Sequence, residues 1–501
     1  MTSTKSVTIA ANCVHAKIIG SNDDIDKQIT KLLSYQIELR NSTAWASFYN
    51  HRSHIFPAGF VHMVGRELVR LGYDVSYAIK NPPKPLGPTP GTNDITGFGF
   101  TERYDYQPET VKRLLKHGRG IARISVGGGK SNIAVMTYDA IRRPTLFLTT
   151  RSALMWQMKA GYEKCGINPG IIGEGQWKPR GTVTVAMVQT IAARLKLPTD
   201  AQMKKWSKNK IEKSLAIREQ TIKYLESVEV IIGEEAHEVG GESYFEIMNS
   251  CKNASYRLAL TATPWMRDDV SNMRLQAAFG SVLIDVSEEE LINKGILATP
   301  YFRTVTTPKP DGLYSYGMSW PRCYDLGIVE NVNRNSLIVD EAIKGVSNGL
   351  TVLILVQREN HGVELRRMLI NKKVEVKFIN GKSNNEERQK ALNDFASRKT
   401  QVLIGSSILD VGVDVPAIGM VILAGAGKAE VNHRQRIGRG LRAKKKGSNI
   451  AFFIDFDDHI NKHLAKHAAT RKAILTSTKG FAERTMNVDK SLPYELLKGS
   501  K

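Results

Sequence analysis

The sequence has no apolar run approaching the ~18 residues that a membrane-spanning helix requires, so no membrane span is expected. It has only four cysteines in 501 residues, Cys13, Cys165, Cys251 and Cys323, scattered and with no CxxC pair. That spacing argues against a zinc site or a disulfide framework and suits a reducing cytosol. The opening residues Met1-Thr2-Ser3-Thr4-Lys5-Ser6-Val7 lack an apolar core, so no secretion signal is expected. No short repeat is present. Acidic residues are also scarce, 49 against 71 lysines and arginines, which leaves a net charge of +22. An excess this large predicts a polyanionic partner, nucleic acid first, with general solubility as the plainer alternative. What is present is globular composition, 42% hydrophobic and 24% charged, in a chain too long for one core. Two large domains and a smaller module are expected.

Hydrophobic patterning divides the chain. Residues 1–85 read as a small unit, with strands at Ser6–Ala10, Val14–Ile19 and Asp74–Ile79 and helices at Asp23–Leu33 and Pro57–Leu71. A Pro/Gly-rich stretch follows and marks residues 86–97 as a linker. Apolar runs then recur at Ile121–Val126, Thr145–Leu148, Val183–Val188, Val228–Ile232 and Arg257–Leu260, within a first lobe at 98–300. They restart at Thr351–Val356, Val374–Phe378, Gln401–Ile404, Gly419–Leu423 and Asn449–Ile454, within a second lobe at 336–458. Continuous apolar runs separated by helical segments signal parallel sheets covered on both faces. Residues 301–335 read as an irregular joint, and 459–501 as a basic, helical tail.

Three segments carry chemistry. Val126-Gly127-Gly128-Gly129-Lys130-Ser131 ends a strand and opens a helix, Ser131–Ile141. Backbone N–H groups of such a turn close around phosphates, the lysine reaches the β/γ oxygens, and the serine hydroxyl suits Mg²⁺. Val230–His237 is an apolar strand that delivers Glu234 and Glu235 at its end. The pair is either a solvated acidic turn or a set in which one carboxylate anchors metal and the other positions water. Gln435-Arg436-Ile437-Gly438-Arg439-Gly440-Leu441-Arg442 is either a basic surface helix or a surface facing phosphates, where arginine meets developing charge.

In order and identity these segments resemble the motifs of superfamily 2 helicases and translocases. Tyr106-Gln107-Pro108 resembles the adenine-side glutamine motif, and Gly127–Ser131 the shorter form of motif I. Thr149–Gln157 resembles motif Ia, Val185–Thr190 motif Ib, Glu234–His237 the DEAH form of motif II, and Leu260–Pro264 motif III. Val352–Gln357 resembles motif IV, Ser406–Pro416 motif V, and Gln435–Arg442 motif VI at every fixed position. The resemblance spans residues 103–456. It implies an α/β fold of two tandem RecA-like lobes with parallel sheets, plus the small N-terminal α/β domain. It implies ATP and Mg²⁺ as cofactors. Gln107 would read adenine. Gly127, Gly128, Gly129, Lys130 and Ser131 would cradle phosphates, with Ser131 and Glu234 at the metal. Glu235 would be the catalytic base, Gly412 and Asp414 would contact nucleotide, and Arg439 and Arg442 would be arginine fingers beside Gln435. Arg151, Gln189, Thr190 and Ser406 would touch nucleic acid. Glu234 departs from the family's usual Asp.

The N-terminal run from Phe56 through Val75 resembles the small domain of phage UvsW-type branch-migration helicases. That implies branched or forked duplex DNA as partner, other replication or recombination proteins beside it, and the cytosol of a bacterium or phage-infected host. Trp45, Phe48, Tyr49, His51 and Arg52 either contact DNA in that unit or, for the aromatics, fill its core. Lys196–Lys223 and Lys444–Lys446 are either basic DNA-facing segments or solvated faces. Other functions remain open: an RNA helicase, a restriction-type translocase subunit, or a weakly hydrolysing ATP-gated annealing protein.

Overall fold

The computed structural model describes residues 6–38, 42–91, 102–236, 238, 241–265, 268–313, 317–405, 418–427, 430–444 and 447–497. The chain forms two compact units, Met1–Ile124 with Gly129–Asp285, and Ser125–Gly128 with Val286–Lys501.

The first unit begins with a four-stranded sheet in the order Ile55–Pro57, His15–Ile19, Ser6–Ala11, Asp74–Ile79. Alternate side chains Val7, Ile9, Ala16 and Ile18 turn inward, as a half-buried sheet demands. They pack on helices Asp23–Leu32 and Val61–Arg70 through Ile25, Ile29, Val64 and Leu68. The Asn22 side chain caps the first helix, accepting from the Ile25 N–H. This core also includes Ala277, with Phe245 and Met273 against it, so the small domain is fused to the larger sheet's helices. A hairpin, Ser34–Glu38 with Thr43–Ser47, stands beside it. Phe48 and Tyr49 fill the core, Tyr49 donating to Asp26, whereas His51, Arg52 and Trp45 lie at the surface, Trp45 72% exposed.

The main sheet of this unit has eight strands. Their order is Gln176–Lys178, Gly170–Gly173, Val183–Met187, Thr145–Thr149, Val230–Glu234, Tyr256–Thr261, Arg119–Ile124, Val282–Val286. The central five pair in parallel and are buried almost throughout, which is why they read as unbroken apolar runs. The Pro-rich segment lies along this unit: Leu86 and Gly87 N–H groups donate to Ile141 and Ala140, and Tyr256 donates to the Pro83 carbonyl.

The second unit has a six-stranded parallel sheet, in the order Thr299–Thr306, Ile450–Asp457, Met420–Ile422, Val352–Leu355, Val402–Gly405, Val376–Ile379. With the first unit it completes the expected pair of RecA-like lobes. The expected irregular joint at 301–335 is corrected. Thr299–Thr306 is an edge strand, and Trp320–Tyr324 runs into a π-helical turn, Asp325–Val329. Cys323, Tyr324 and Ile328 from this stretch bury against Ile460 and Leu464. The tail is helical at Lys462–Ser477 and is part of the unit's interior. Its Arg471 is buried and donates to Asp455 at 2.8 Å, to the Phe456 carbonyl at 2.9 Å and to Asp458 at 3.4 Å. Arg334, also buried, reaches Asp458 at 2.8 Å and the Ala424 carbonyl at 2.8 Å. Burial pushes the Asp455 carboxyl up, but Arg471 beside it prevails and holds it below the ordinary range. Among the described residues no helix is long and apolar enough to cross a membrane.

Candidate active site

Strand Arg119–Ile124 delivers the phosphate loop. Gly127 and Gly129 both adopt the left-handed conformation, φ 87° and 78°, which a residue with a Cβ enters only with strain. A Cβ on Gly129 would also run into the Gln107 amide. Helix Lys130–Ile141 follows, with Gly129 at its N-cap and no side chain capping it. Its first N–H groups therefore face outward with the positive end of the helix dipole, the arrangement that receives phosphate. Gln107 is buried at the start of helix Tyr106–His117, which is capped by Asp105, and so sits against this loop. Among the described residues the Lys130 ammonium makes one long contact, 3.4 Å, to the Ile124 carbonyl.

Residues Ser125–Gly128 belong with the second unit. The Ser125 hydroxyl donates to Val286 at 3.0 Å, and a Cβ on Gly127 would stand 2.7 Å from Leu297.

Strand Val230–Glu234 ends at the same edge of the sheet as strand Arg119–Ile124, with Tyr256–Thr261 between them. Glu234 is 6% exposed, and its Oε2 has no hydrogen-bond partner among the described residues. Burial raises its carboxyl pKa, the neighbouring Glu235 charge adds to this, and Lys130 offsets part, leaving it about 7. Glu235 takes φ 47°, an uncommon conformation for a non-glycine residue and one that collects at functional sites. Two side chains lean on the strand beneath: a Cβ at Gly233 would lie 2.8 Å from the Tyr244 hydroxyl and 2.9 Å from Phe279. Thr261 and Thr263 end the adjacent strand, with the Thr263 N–H donating to the Thr261 hydroxyl at 3.1 Å.

The expected nucleic-acid residues Arg151 and Gln189 converge. Gln189 donates to the Thr150 carbonyl at 2.8 Å, Arg151 pairs with Glu238 at 3.4 Å, and the Thr150 hydroxyl donates to that same carboxylate. Thr190 is half-buried beside them in the chain. Glu238 thus holds the Thr150–Arg151 segment, to which Gln189 is joined in turn through the Thr150 carbonyl, and nothing local in the sequence marks it.

In the second unit, helix Glu430–Gly440 carries Gln435 and Arg439. The expectations for those two side chains lie outside the described residues, as do Ser406, Gly412 and Asp414. Arg436 is buried, with Nη1 3.5 Å from the Gly425 carbonyl, so this arginine faces inward. Arg442 lies past the helix, in a bridge with Leu297. Burial pulls its guanidinium pKa down.

The donors fit ATP with Mg²⁺. An orphaned buried carboxylate oxygen wants a cation, and the uncapped helix with Lys130 wants an anion. Comparison with known proteins agrees. Residues 101–266 match the family described as "Type III restriction enzyme, res subunit", and 334–444 the "Helicase conserved C-terminal domain". The chain is a superfamily 2 helicase. An ATP-hydrolysing nucleic-acid helicase is thereby its enzyme class.

Among this helicase's relatives is the DNA 3'-5' translocase XPB2 of Sulfurisphaera tokodaii, 26% identical over 384 residues, 69% of this chain and 80% of that protein. Another is Putative helicase 22 of Sulfolobus islandicus filamentous virus, 23% identical over 392 residues, 73% of this chain and 66% of its own length, just under two thirds. The crystal structure of T4 UvsW is 16% identical, covers 96% of this chain and 98% of its own, and gives a TM-score of 0.44.

Proposed function

We propose that this helicase is an ATP-driven motor on duplex DNA that remodels branched intermediates: branch migration and fork regression in recombination and repair. The observation that carries the reading is the N-terminal domain's core, which is continuous with the first lobe through Ala277 and Phe245. A substrate held there is held in register with the lobe that binds nucleotide. The net charge of +22 favours a phosphate-rich partner, and the name of the first relative, a DNA translocase, favours DNA. The four free cysteines favour a reducing cytosol, bacterial or phage-infected.

In this reading the ATP phosphates enter the Gly127–Gly129 turn and the first N–H groups of helix Lys130–Ile141. Lys130 exchanges its weak carbonyl contact for the β/γ oxygens, and Gln107 faces the adenine side. Ser131 and Glu234 would hold Mg²⁺, which when bound would supply charge that neutralises the phosphates. Glu235 orients water and takes its proton as oxygen attacks the γ-phosphorus and the β–γ bridging bond breaks, giving ADP and phosphate. Arg439 and Arg442, with Gln435, meet the charge that develops on the γ-phosphoryl group, and Gly412 and Asp414 contact nucleotide. Arg151, Gln189, Thr190 and Ser406 face nucleic acid.

A restriction-type translocase subunit is the second reading, favoured by the description of the family that matches residues 101–266. ATPase stimulation by forked DNA, linear duplex and RNA separates the two. Branch remodelling predicts the strongest stimulation by forks. Equal stimulation by linear duplex supports the second reading, and a preference for RNA overturns both.

A further inference from the structure

Between the strand ending at Met187 and the strand starting at Val230 the chain inserts three helices, Val188–Leu195, Asp200–Lys205 and Lys208–Ser227. The second has no buried residue, and in the twenty-residue third only Thr221 and Leu225 are buried. These helices are therefore specified by their ends rather than by a core. Thr199 and Gln202 form a reciprocal capping box, and the Ser207 side chain caps the long helix at Lys210. Anchorage lies in its C-terminal half: Arg218 donates to the Leu195 carbonyl at 2.9 Å, and Arg194 reaches Gln220 at 2.7 Å and Thr221 at 3.1 Å.

The direction of the overhang follows from lengths. The long helix leads back to the start of strand Val230–Glu234, so it runs antiparallel to that strand. Twenty helical residues span ~30 Å, whereas a five-residue strand spans only ~17 Å. A helix antiparallel to a strand and longer than it by ~13 Å extends past the strands' C-terminal edge. Glu234, Arg151 and Gln189 lie at that same edge.

The overhanging arm is basic. Between residues 196 and 218 stand seven lysines and arginines against two acids. Lys204, Lys205, Lys208 and Lys213 are exposed, and none pairs with an acid among the described residues. Lys210 lies over the Trp206 ring at 4.4 Å. Four unpaired ammonium groups on a surface without a core have no structural task inside the protein, and their mutual repulsion costs stability until a polyanion arrives. Exposed Met203 and Leu215 also sit on the arm, which would suit a protein partner, but charge of one sign favours phosphate.

We infer that the arm 196–218 is a second, sequence-independent contact to the duplex DNA backbone, in which Lys204, Lys205, Lys208 and Lys213 neutralise phosphates. The inference rests on the DNA reading above and adds a surface to it. The test is the affinity of the full chain for forked and blunt duplex across a salt series, with these four lysines changed together to Ala and, separately, to Arg. Each phosphate contact contributes about 0.9 to the slope of log affinity against log salt, so the Ala variant loses about 3–4 of that slope. The Arg variant keeps it. A thermal midpoint equal to that of the parent shows that the fold is intact, as expected for exposed side chains. A parent that binds duplex with a slope unchanged by the Ala substitutions overturns the arm alone. A parent that binds no DNA overturns the functional reading, and the arm with it.

Discussion

Glu234 should destabilise the protein that its function requires, and the effect can be measured as a pH-dependent gain on removing its charge. Its pKa in the folded chain is about 7 against an ordinary 4.5, with burial the larger cause and Glu235 the second. Between about pH 4.5 and 7 the folded protein holds a proton that the unfolded chain has lost. Stability therefore falls as pH rises through that window, and the penalty is complete above about 7. A shift of this size corresponds to about 3 kcal/mol at ~1.36 kcal/mol per unit. Glu234→Gln keeps the shape and removes the charge. In the presence of a chelator it should leave the melting midpoint nearly unchanged at acidic pH, where Glu234 is already neutral. At alkaline pH it should raise the midpoint by roughly 6–12 °C, on ~2–4 °C per kcal/mol for a unit of this size. Mg²⁺ with a non-hydrolysable nucleotide should stabilise the parent more than the variant, because only the parent has a carboxylate at position 234. Equal midpoint differences at the two pH extremes would refute the reasoning, since they would mean that the carboxylate is already ionised at no cost.

Lys130→Ala should abolish ATP turnover in steady-state assays while sparing most DNA affinity, which comes from a dispersed basic surface; near-parental turnover would remove the basis of the phosphate site. Arg442→Ala should lower kcat on the order of 10³-fold if it acts as an arginine finger, with the melting midpoint little changed. Gly233→Ala should cost about 1–3 kcal/mol by chemical denaturation, because its methyl meets Tyr244 and Phe279 under the strand that carries Glu234; a neutral result would show that these side chains give way.

The sequence was legible where one segment satisfied two constraints at once. The central strands were found because burial on both faces leaves unbroken apolar runs, and the phosphate loop because its glycines take conformations that other residues avoid. Strands at or next to a sheet edge were missed. Gly170–Gly173 and Gln176–Lys178 are short, and Thr299–Thr306 contains Pro300, which only an edge tolerates. The charged interior was invisible for a different reason. Arg334 and Arg471 look like surface residues in sequence, and only the fold brings Asp455 and Asp458 to them. Arg436 shows the same limit inside a motif, since spacing groups it with Arg439 and Arg442 while the helix turns it inward. Thr150 and Arg151 reach Glu238, and Gln189 reaches the Thr150 carbonyl; this chain of contacts joins three distant segments and has no local signal.

The glutamate at 234 raises the question of whether the pocket is built for the longer acid. Its Oε2 has no hydrogen-bond partner among the described residues, so no bond to that oxygen dictates the length of the side chain. Mg²⁺ usually keeps several waters at phosphate sites, so a carboxylate drawn back by about one bond length can be bridged by moving a water. A raised pKa sharpens the test, because metal and proton compete for one site: below about pH 7 each unit should weaken apparent Mg²⁺ affinity about tenfold. Glu234→Asp should keep kcat within tenfold of the parent, or raise it modestly, in an ATPase assay with forked DNA and saturating Mg²⁺. A loss greater than tenfold, about 1.4 kcal/mol of transition-state stabilisation, would show that the pocket is shaped to the longer acid and that water does not bridge the gap.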